Sequence, residues 1–309
     1  MKVLICDKVS KDAIEKMRAA GLQVDDRAGI AADELKSIVG GYEVLVVRSA
    51  TKVTAEVIEA GRNLKLIVRG GVGVDNIDVK AAEAKGVAVK NTPAASTESV
   101  AELAVGLMFA LSRKIARADA SMKAGQWEKK AFEGTEVAGK TLGVIGIGRI
   151  GLATARKAHL LGVKRVLAHD PWVPKAPADF VTLTDLDTLL KESDIITLHI
   201  PFDKIKGAVL GAREFGLMKP GVFLVNCARG GVVDETALLE ALNAGKVAGA
   251  AVDVWAKEPT DNAALAKHPA VVALPHLGAS TKEGQGRVGG EVADIIIEFA
   301  RQAVPRRAN

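Results

Sequence analysis

Residues 140–151 read K-T-L-G-V-I-G-I-G-R-I-G. Gly146, Gly148 and Gly151 make a G-x-G-x-x-G where an apolar strand runs into a helix. In that setting the first glycine permits a tight turn. The second lets backbone approach a pyrophosphate, and the third lets the helix pack on the strand. The helix start, with Arg149 and Ile150, then offers its unpaired N–H groups to the phosphates. Taken alone, the pattern also fits a plain glycine-rich turn. Asp170 favours the nucleotide. It ends the next strand, where a carboxylate accepts from a ribose 2′-hydroxyl and repels a 2′-phosphate. The predicted cofactor is a dinucleotide, NAD rather than NADP.

Hydride transfer from a secondary alcohol to such a cofactor needs a base for the hydroxyl proton. It also needs a group that orients the base and a cation for the substrate. Histidine suits the base because it titrates near neutrality. The chain has five histidines. His159 lies beside Leu160 and Leu161 in a helical stretch and reads as structural. His169 precedes Asp170 and suits the adenine side, while His268 sits in a polar loop. His199, followed by Ile200 and Pro201, ends a strand and suits the mouth of a cleft. His276 follows a strand and a proline in a Gly/Ala/Ser-rich segment, the kind of strand end where doubly wound sheets place ligand contacts. Arg229 stands in N-C-A-R-G-G after an apolar strand, and Glu258 precedes Pro259. Spacing alone leaves open a surface arginine and a turn carboxylate.

The elements that must hold these residues are short apolar runs between helical stretches. They fall at 3–6, 44–47, 66–68 and 87–89, then at 142–145, 165–168, 195–198, 222–225, 249–252 and 271–274. Strands apolar on both faces and alternating with helices predict parallel sheets covered on both sides. Ten are many for one sheet, and 309 residues suit two domains. The segments 91–97 (N-T-P-A-A-S-T) and 275–281 (P-H-L-G-A-S-T) read as crossings between them. Each leads into a capping-box pattern, Ser99-x-x-Glu102 and Ser280-x-x-Glu283. The expected class is α/β, with two Rossmann-like or flavodoxin-like domains. A cofactor domain, 92–282, is inserted into a substrate domain made of 1–91 and 283–309.

Composition bounds the partners. Net charge is 42 − 37 = +5, with no long basic run, so nucleic acid is not expected. No apolar run reaches the roughly 18 residues of a membrane span, and no secretory apolar region opens the chain. Cys6 and Cys227 are far apart and make no metal-ligand spacing, which predicts no metal and a reducing, cytoplasmic setting.

Six ordered motifs together resemble the D-isomer-specific 2-hydroxy acid dehydrogenase family. They are the glycine loop, V-R-S-A-T-K-V-T at 47–54, G-G-V-G-V-D-N-I-D at 70–78, W-E-K-K at 127–130, N-C-A-R-G-G at 226–231 and P-H-L-G-A-S-T at 275–281. The resemblance implies that Arg229 binds the substrate carboxylate and carbonyl. His276 would be the acid/base, with Glu258 on its far nitrogen. Arg48 and Ser49 would hold the anionic end of the substrate, and the 71–76 segment, through Gly71, Val72, Gly73 and Asn76, would contact it too. Asp253 would bond the nicotinamide amide. Cys227, Ala228, His199, Ile200, Pro201, Gly278 and Ala279 would lie along the cofactor.

Two positions depart from the family pattern. Val72 stands where a small or hydroxylated residue is common, and Ile200 where threonine is. The resemblance also implies a homodimer or homotetramer formed through the helical stretch after residue 103, with Lys129 reaching a neighbour's cleft. With the sequence ending at Asn309, the regulatory domains of longer members are not expected. The expected substrate is a small anionic 2-hydroxy acid. Arg48 and the lysines after Trp127 favour a doubly charged one over glyoxylate, hydroxypyruvate or D-lactate. A sensor of NAD(H) acting as a corepressor is the alternative of another class.

Overall fold

The computed structural model describes residues 1–303. Residues 304–309 of the expected substrate domain lie outside them. Tertiary contacts divide the chain into two compact units, one formed by Met1–Ser96 with the chain from Ala279 onward, the other by Thr97–Gly278.

The first unit holds five parallel strands, β1 (Lys2–Ile5), β2 (Gln23–Asp26), β3 (Val44–Val47), β4 (Leu66–Arg69) and β5 (Ala88–Asn91). Their order, β2-β1-β3-β4-β5, is that of a flavodoxin-like sheet, with its reversal point between β1 and β3. Successive residues supply opposite layers. Val3, Ile5, Val44, Val46, Leu66 and Val68 belong to one apolar core, and Leu4, Cys6, Leu45, Val47 and Ile67 to the other. Helices α1 (Lys11–Ala19), α2 (Ala32–Ile38), α3 (Ala55–Ala60) and α4 (Val79–Ala84) form the crossovers. The long helix Lys282–Ala303 closes the first core with Val288, Val292, Ala293 and Ile296, one stripe at helical spacing. Burying each of its larger members contributes roughly 1.5–3 kcal/mol.

The second unit opens with α5 (Thr97–Ser112) and α6 (Ile115–Lys123). It continues β6 (Thr141–Ile145), α7 (Arg149–Leu160), β7 (Arg165–His169), β8 (Val181–Leu183), α8 (Leu186–Glu192), β9 (Ile195–Leu198), α9 (Ala212–Leu217), β10 (Val222–Asn226), α10 (Glu235–Asn243), β11 (Val247–Val252), α11 (Ala263–Ala266) and β12 (Val271–Ala273). The helix Lys282–Ala303 is therefore α12. The sheet order is β12-β11-β10-β9-β6-β7-β8, all parallel, a Rossmann order whose reversal falls between β6 and β9. Because every strand runs the same way, the segments after β6, β7, β9, β10, β11 and β12 share one edge of the sheet.

Three expectations need correction. Two strands escaped the pattern. β2 reads QVDD and lies at a sheet edge, and β8 is only VTL; neither has the apolar run that marks a doubly covered strand. Ser99 does not cap a helix, because α5 already begins at Thr97 and Ser99 is buried within it. At the second crossing it is Thr281, not Ser280, whose Oγ1 accepts from the N–H of Gly284 at 2.9 Å. Among the described residues no helix is long and apolar enough to cross a membrane.

Candidate active site

In the second unit the turn after β6 is built for close approach. Gly146 has φ +88°, and a Cβ there would stand 2.7 Å from the carbonyl oxygen of His199. A Cβ on Gly151 would stand 2.0 Å from the Gly146 oxygen. At Gly148 the same test meets nothing within 4 Å, so that side is open. Gly148 caps α7 without a side-chain bond, which leaves the first-turn N–H groups beside Arg149 and Ile150 available to an anion. The Asp170 carboxylate accepts from the N–H of Ile147 at 3.1 Å and of Trp172 at 3.0 Å. It thus ties the glycine turn to the end of β7 and keeps lone pairs for a ribose hydroxyl. These residues fit a dinucleotide.

His199 stands at the reversal point, after β9. Its Nε2 lies 3.0 Å from Thr197 Oγ1, while its Nδ1 is shut off from water without a protein partner. Burial pulls its pKa down from 6.5 to about 3, so the ring is neutral. Ile200 and Pro201 continue this wall, and Ile200 faces Gly146. Cys227 and Ala228, after β10, are buried. Burial, with Asp253 adding to it, pushes the Cys227 thiol well above its ordinary range.

Arg229, Glu258 and His276 follow on the same edge. The Asn226 side chain braces the turn before Arg229: Oδ1 accepts from Ala228 N at 3.1 Å, and Nδ2 donates to Arg229 O at 3.3 Å. The half-buried Arg229 donates from Nη1 to Ala228 O at 2.7 Å. Next to it, a Cβ on Gly230 would stand 1.8 Å from the carbonyl oxygen of Trp255, so this turn is pressed on the segment that leads to Glu258. Trp255 donates its backbone N–H to Glu258 Oε1 at 3.1 Å and its indole N–H to Leu274 O at 2.9 Å. Glu258 Oε2 lies 2.8 Å from Nδ1 of His276, whose Nε2 is left for other partners. His276 itself is left-handed, with φ +57°. Asp253, fully buried, receives the N–H groups of Leu277 and Gly278 on its carboxylate.

In the first unit Arg48 and Ser49 follow β3. The Asp7 carboxylate accepts from the backbone N–H groups of Arg48 and Thr51 and from Thr51 Oγ1. The Arg48 guanidinium bonds Gln285 Oε1 of α12. Asn76, expected to meet substrate, donates both amide hydrogens to loop carbonyls, of Arg48 at 2.7 Å and Thr51 at 2.6 Å. Its amide therefore holds the loop that carries Arg48. Gly71 has φ +146°, and a Cβ there would stand 1.6 Å from Nη1 of Arg69. Val72 accepts from Asn91 Nδ2, and Gly73 is half-buried beside it.

The second unit matches the family described as D-isomer specific 2-hydroxyacid dehydrogenase, NAD binding domain, over residues 105–278. The D-3-phosphoglycerate dehydrogenase of Archaeoglobus fulgidus is 50% identical over 100% of this chain and 59% of its own length. The hydroxypyruvate reductase of Thermotoga maritima is 49% identical over 96% of this chain and 97% of its own length. The chain belongs to the D-isomer-specific 2-hydroxyacid dehydrogenases. Among solved structures, a D-lactate dehydrogenase of Aquifex aeolicus, complexed with NAD and lactic acid, aligns with TM-score 0.82 and 30% identity over 98% of this chain and 96% of that one. The chain spans less than two thirds of the length of the phosphoglycerate dehydrogenase it matches.

The second unit carries Gly146, Gly148, Gly151, Asp170, His199, Cys227, Arg229, Asp253, Glu258, His276 and Gly278. Ala279 falls in the first unit, with Arg48, Ser49, Gly71 and Asn76. Lys129 lies in an exposed 3-10 turn, Lys129–Phe132. Sequence reasoning missed three residues. Arg69 ends β4 against Gly71, and the G-G-V-G run that follows it was the available signal. Gln285 and Trp255 act through long-range contacts that carry no local signature.

Proposed function

We propose that this dehydrogenase oxidises D-3-phosphoglycerate to 3-phosphohydroxypyruvate with NAD, the entry reaction of phosphorylated serine synthesis. The observation that carries the chemistry is the pairing of Glu258 with Nδ1 of His276, which leaves Nε2 for substrate. His276 takes the proton of the 2-hydroxyl, and Glu258 stabilises the imidazolium that results. Arg229 binds the carboxylate and polarises the forming carbonyl. NAD, when bound, supplies the hydride acceptor, held by the glycine turn and by Asp170. Arg48 and Arg69 give the first unit two cations for an anionic substrate, and Ser49 and the 71–73 backbone serve the same end. The names of relatives near half identity point to the phosphorylated acid.

One observation favours a second reading, reduction of hydroxypyruvate. The Thermotoga relative of that name is 49% identical over 96% of this chain, within one percentage point of the Archaeoglobus phosphoglycerate dehydrogenase. A substrate panel followed by NADH absorbance separates the two. Phosphoglycerate should give the highest kcat/KM. A preference for hydroxypyruvate of about tenfold, near 1.4 kcal/mol in transition-state binding, decides for the second reading.

Assembly is proposed as a homodimer or homotetramer joined through the second unit. Ile115, Met122 and Trp127 leave large apolar side chains exposed around α6, at 53%, 54% and 81%. Lys129 follows directly and would serve the neighbour's substrate. Light scattering that finds a monomer ends this part. Both cysteines are buried and free, which suits the reducing cytoplasm proposed as its setting.

A further inference from the structure

The segment Pro275–Gly278 has no regular structure to hold it, yet it must deliver the imidazole of His276 to one place. Its backbone is also costly, because His276 sits in the left-handed region where side chains other than glycine are uncommon. Such a conformation persists only where the surroundings over-determine it. Around His276 the determinant is one residue. The N–H of His276 donates to the Asp253 carbonyl at 2.9 Å. The next two N–H groups go to the Asp253 side chain, Leu277 to Oδ1 at 2.6 Å and Gly278 to Oδ2 at 2.9 Å. Three successive amides therefore converge on a single aspartate, itself 0% exposed and anchored by its own N–H to Asn226 O at 3.0 Å.

We propose that Asp253 is the positioning residue for His276, its buried carboxylate filling an anion nest made by the very segment that carries the histidine. This rests on His276 being the acid/base. Consecutive amides in a turn form a concavity that favours an anion. A carboxylate can meet two diverging N–H groups with two equivalent oxygens. An amide cannot, because its NH2 would face a donor. Packing at Gly278 completes the fit: a Cβ there would stand 3.2 Å from Asp253 Oδ2 and 3.3 Å from Val100. The contact with nicotinamide expected from resemblance concerns the lone pairs that remain. The proposal assigns the carboxylate a task that exists before any cofactor binds.

The test is Asp253→Asn alone and in the His276→Ala background. It reads kcat, KM for the hydroxy acid and the NADH dissociation constant. The single variant should lose about 100-fold in kcat, the scale of a base displaced by about an ångström. NADH affinity should fall by less than about tenfold, since asparagine keeps an oxygen for the nicotinamide amide. In the His276→Ala background the further loss should be under about threefold, since residues acting as a unit are not additive. Loss of NADH affinity with kcat preserved overturns the proposal, and so does a full further loss without His276. Wild-type turnover of His276→Ala alone refutes the acid/base reading instead, before Asp253 is touched. Should Asp253→Asn fail to fold, Gly278→Ala crowds the same nest from the other side. It should show the same split at roughly five- to tenfold, and an unchanged kcat in that variant overturns the proposal.

Discussion

Oε2 of Glu258 lies 2.8 Å from Nδ1 of His276, and both side chains remain open to solvent, at 40% and 41%. A hydrogen-bonded pair this exposed contributes little to stability. Its conservation of geometry instead comes from the backbone: Trp255 fixes the other oxygen of Glu258, and Asp253 fixes the turn at His276. His276→Ala should therefore leave the melting temperature nearly unchanged while lowering kcat by about 10²–10⁴-fold. Glu258→Gln keeps a bond to Nδ1 but removes the charge, and should cost at least about tenfold in kcat. Steady-state kinetics alongside thermal melts check both, and a variant with full turnover rejects its assigned role.

Asp170→Ala should change cofactor choice. The carboxylate ties Ile147 and Trp172 together, and as the proposed ribose contact it would repel a 2′-phosphate. Its removal should lower kcat/KM with NAD and raise it with NADP, narrowing the ratio from both sides. Rates with each cofactor measure this directly. A parent protein that already prefers NADP would contradict the reading.

His199 should make the protein acid-sensitive in a defined window. Its folded pKa is depressed to about 3, against 6.5 in the unfolded chain. Above pH 6.5 both states are neutral and the contribution is complete. As pH falls from there toward 3, the unfolded state gains a proton the folded state refuses, and stability is lost at up to about 1.4 kcal/mol per pH unit. Carboxylates with lowered values, such as Asp194 and Glu214, lose their share below their ordinary values of 3.8 and 4.5, so they do not confuse the upper part of the window. Urea midpoints at about pH 7 and about pH 5 should diverge less in His199→Gln than in the parent. Equal slopes would mean the ring is not enclosed.

Gly71→Ala should destabilise and impair together. Its φ of +146° strains any other residue, and the added Cβ, 1.6 Å from Nη1 of Arg69, would push that guanidinium aside. A cost of about 1–3 kcal/mol is expected from the strained backbone alone. Displacement of Arg69 should raise KM for the anionic substrate. Chemical denaturation and kinetics measure the two effects, and an unchanged KM would separate Arg69 from substrate binding.

Much of this was legible before any coordinates. Strands apolar on both faces, such as VLVV at β3 and the run at β9, announce themselves. The tight turn at Gly146 and the close packing at Gly151 did so because no residue with a Cβ fits there. β2 was silent because an edge strand of QVDD needs no apolar face. The placement of Asn76 and Asp253 was also hidden. Each is a polar residue in a ligand-like motif, and only tertiary contacts reveal that its hydrogen bonds already serve the backbone. Trp255 carried no signal in the sequence, and its two N–H groups give it a task that composition does not announce.

The split of the first unit around the second bears on how the chain is made. One apolar face of its sheet, with Val3, Ile5, Val44 and Val46, is completed by Val288, Val292 and Ile296 of α12. All of 97–278 leaves the ribosome between the two. At about 5–20 residues per second that interval is on the order of ten seconds or more. By its end the inserted unit has every strand it needs, while one side of the earlier sheet waits with only α1 to cover it. Nascent β1 and β3 are therefore the segments for which a chaperone such as a holdase would compete, and α12 is the element that ends the competition.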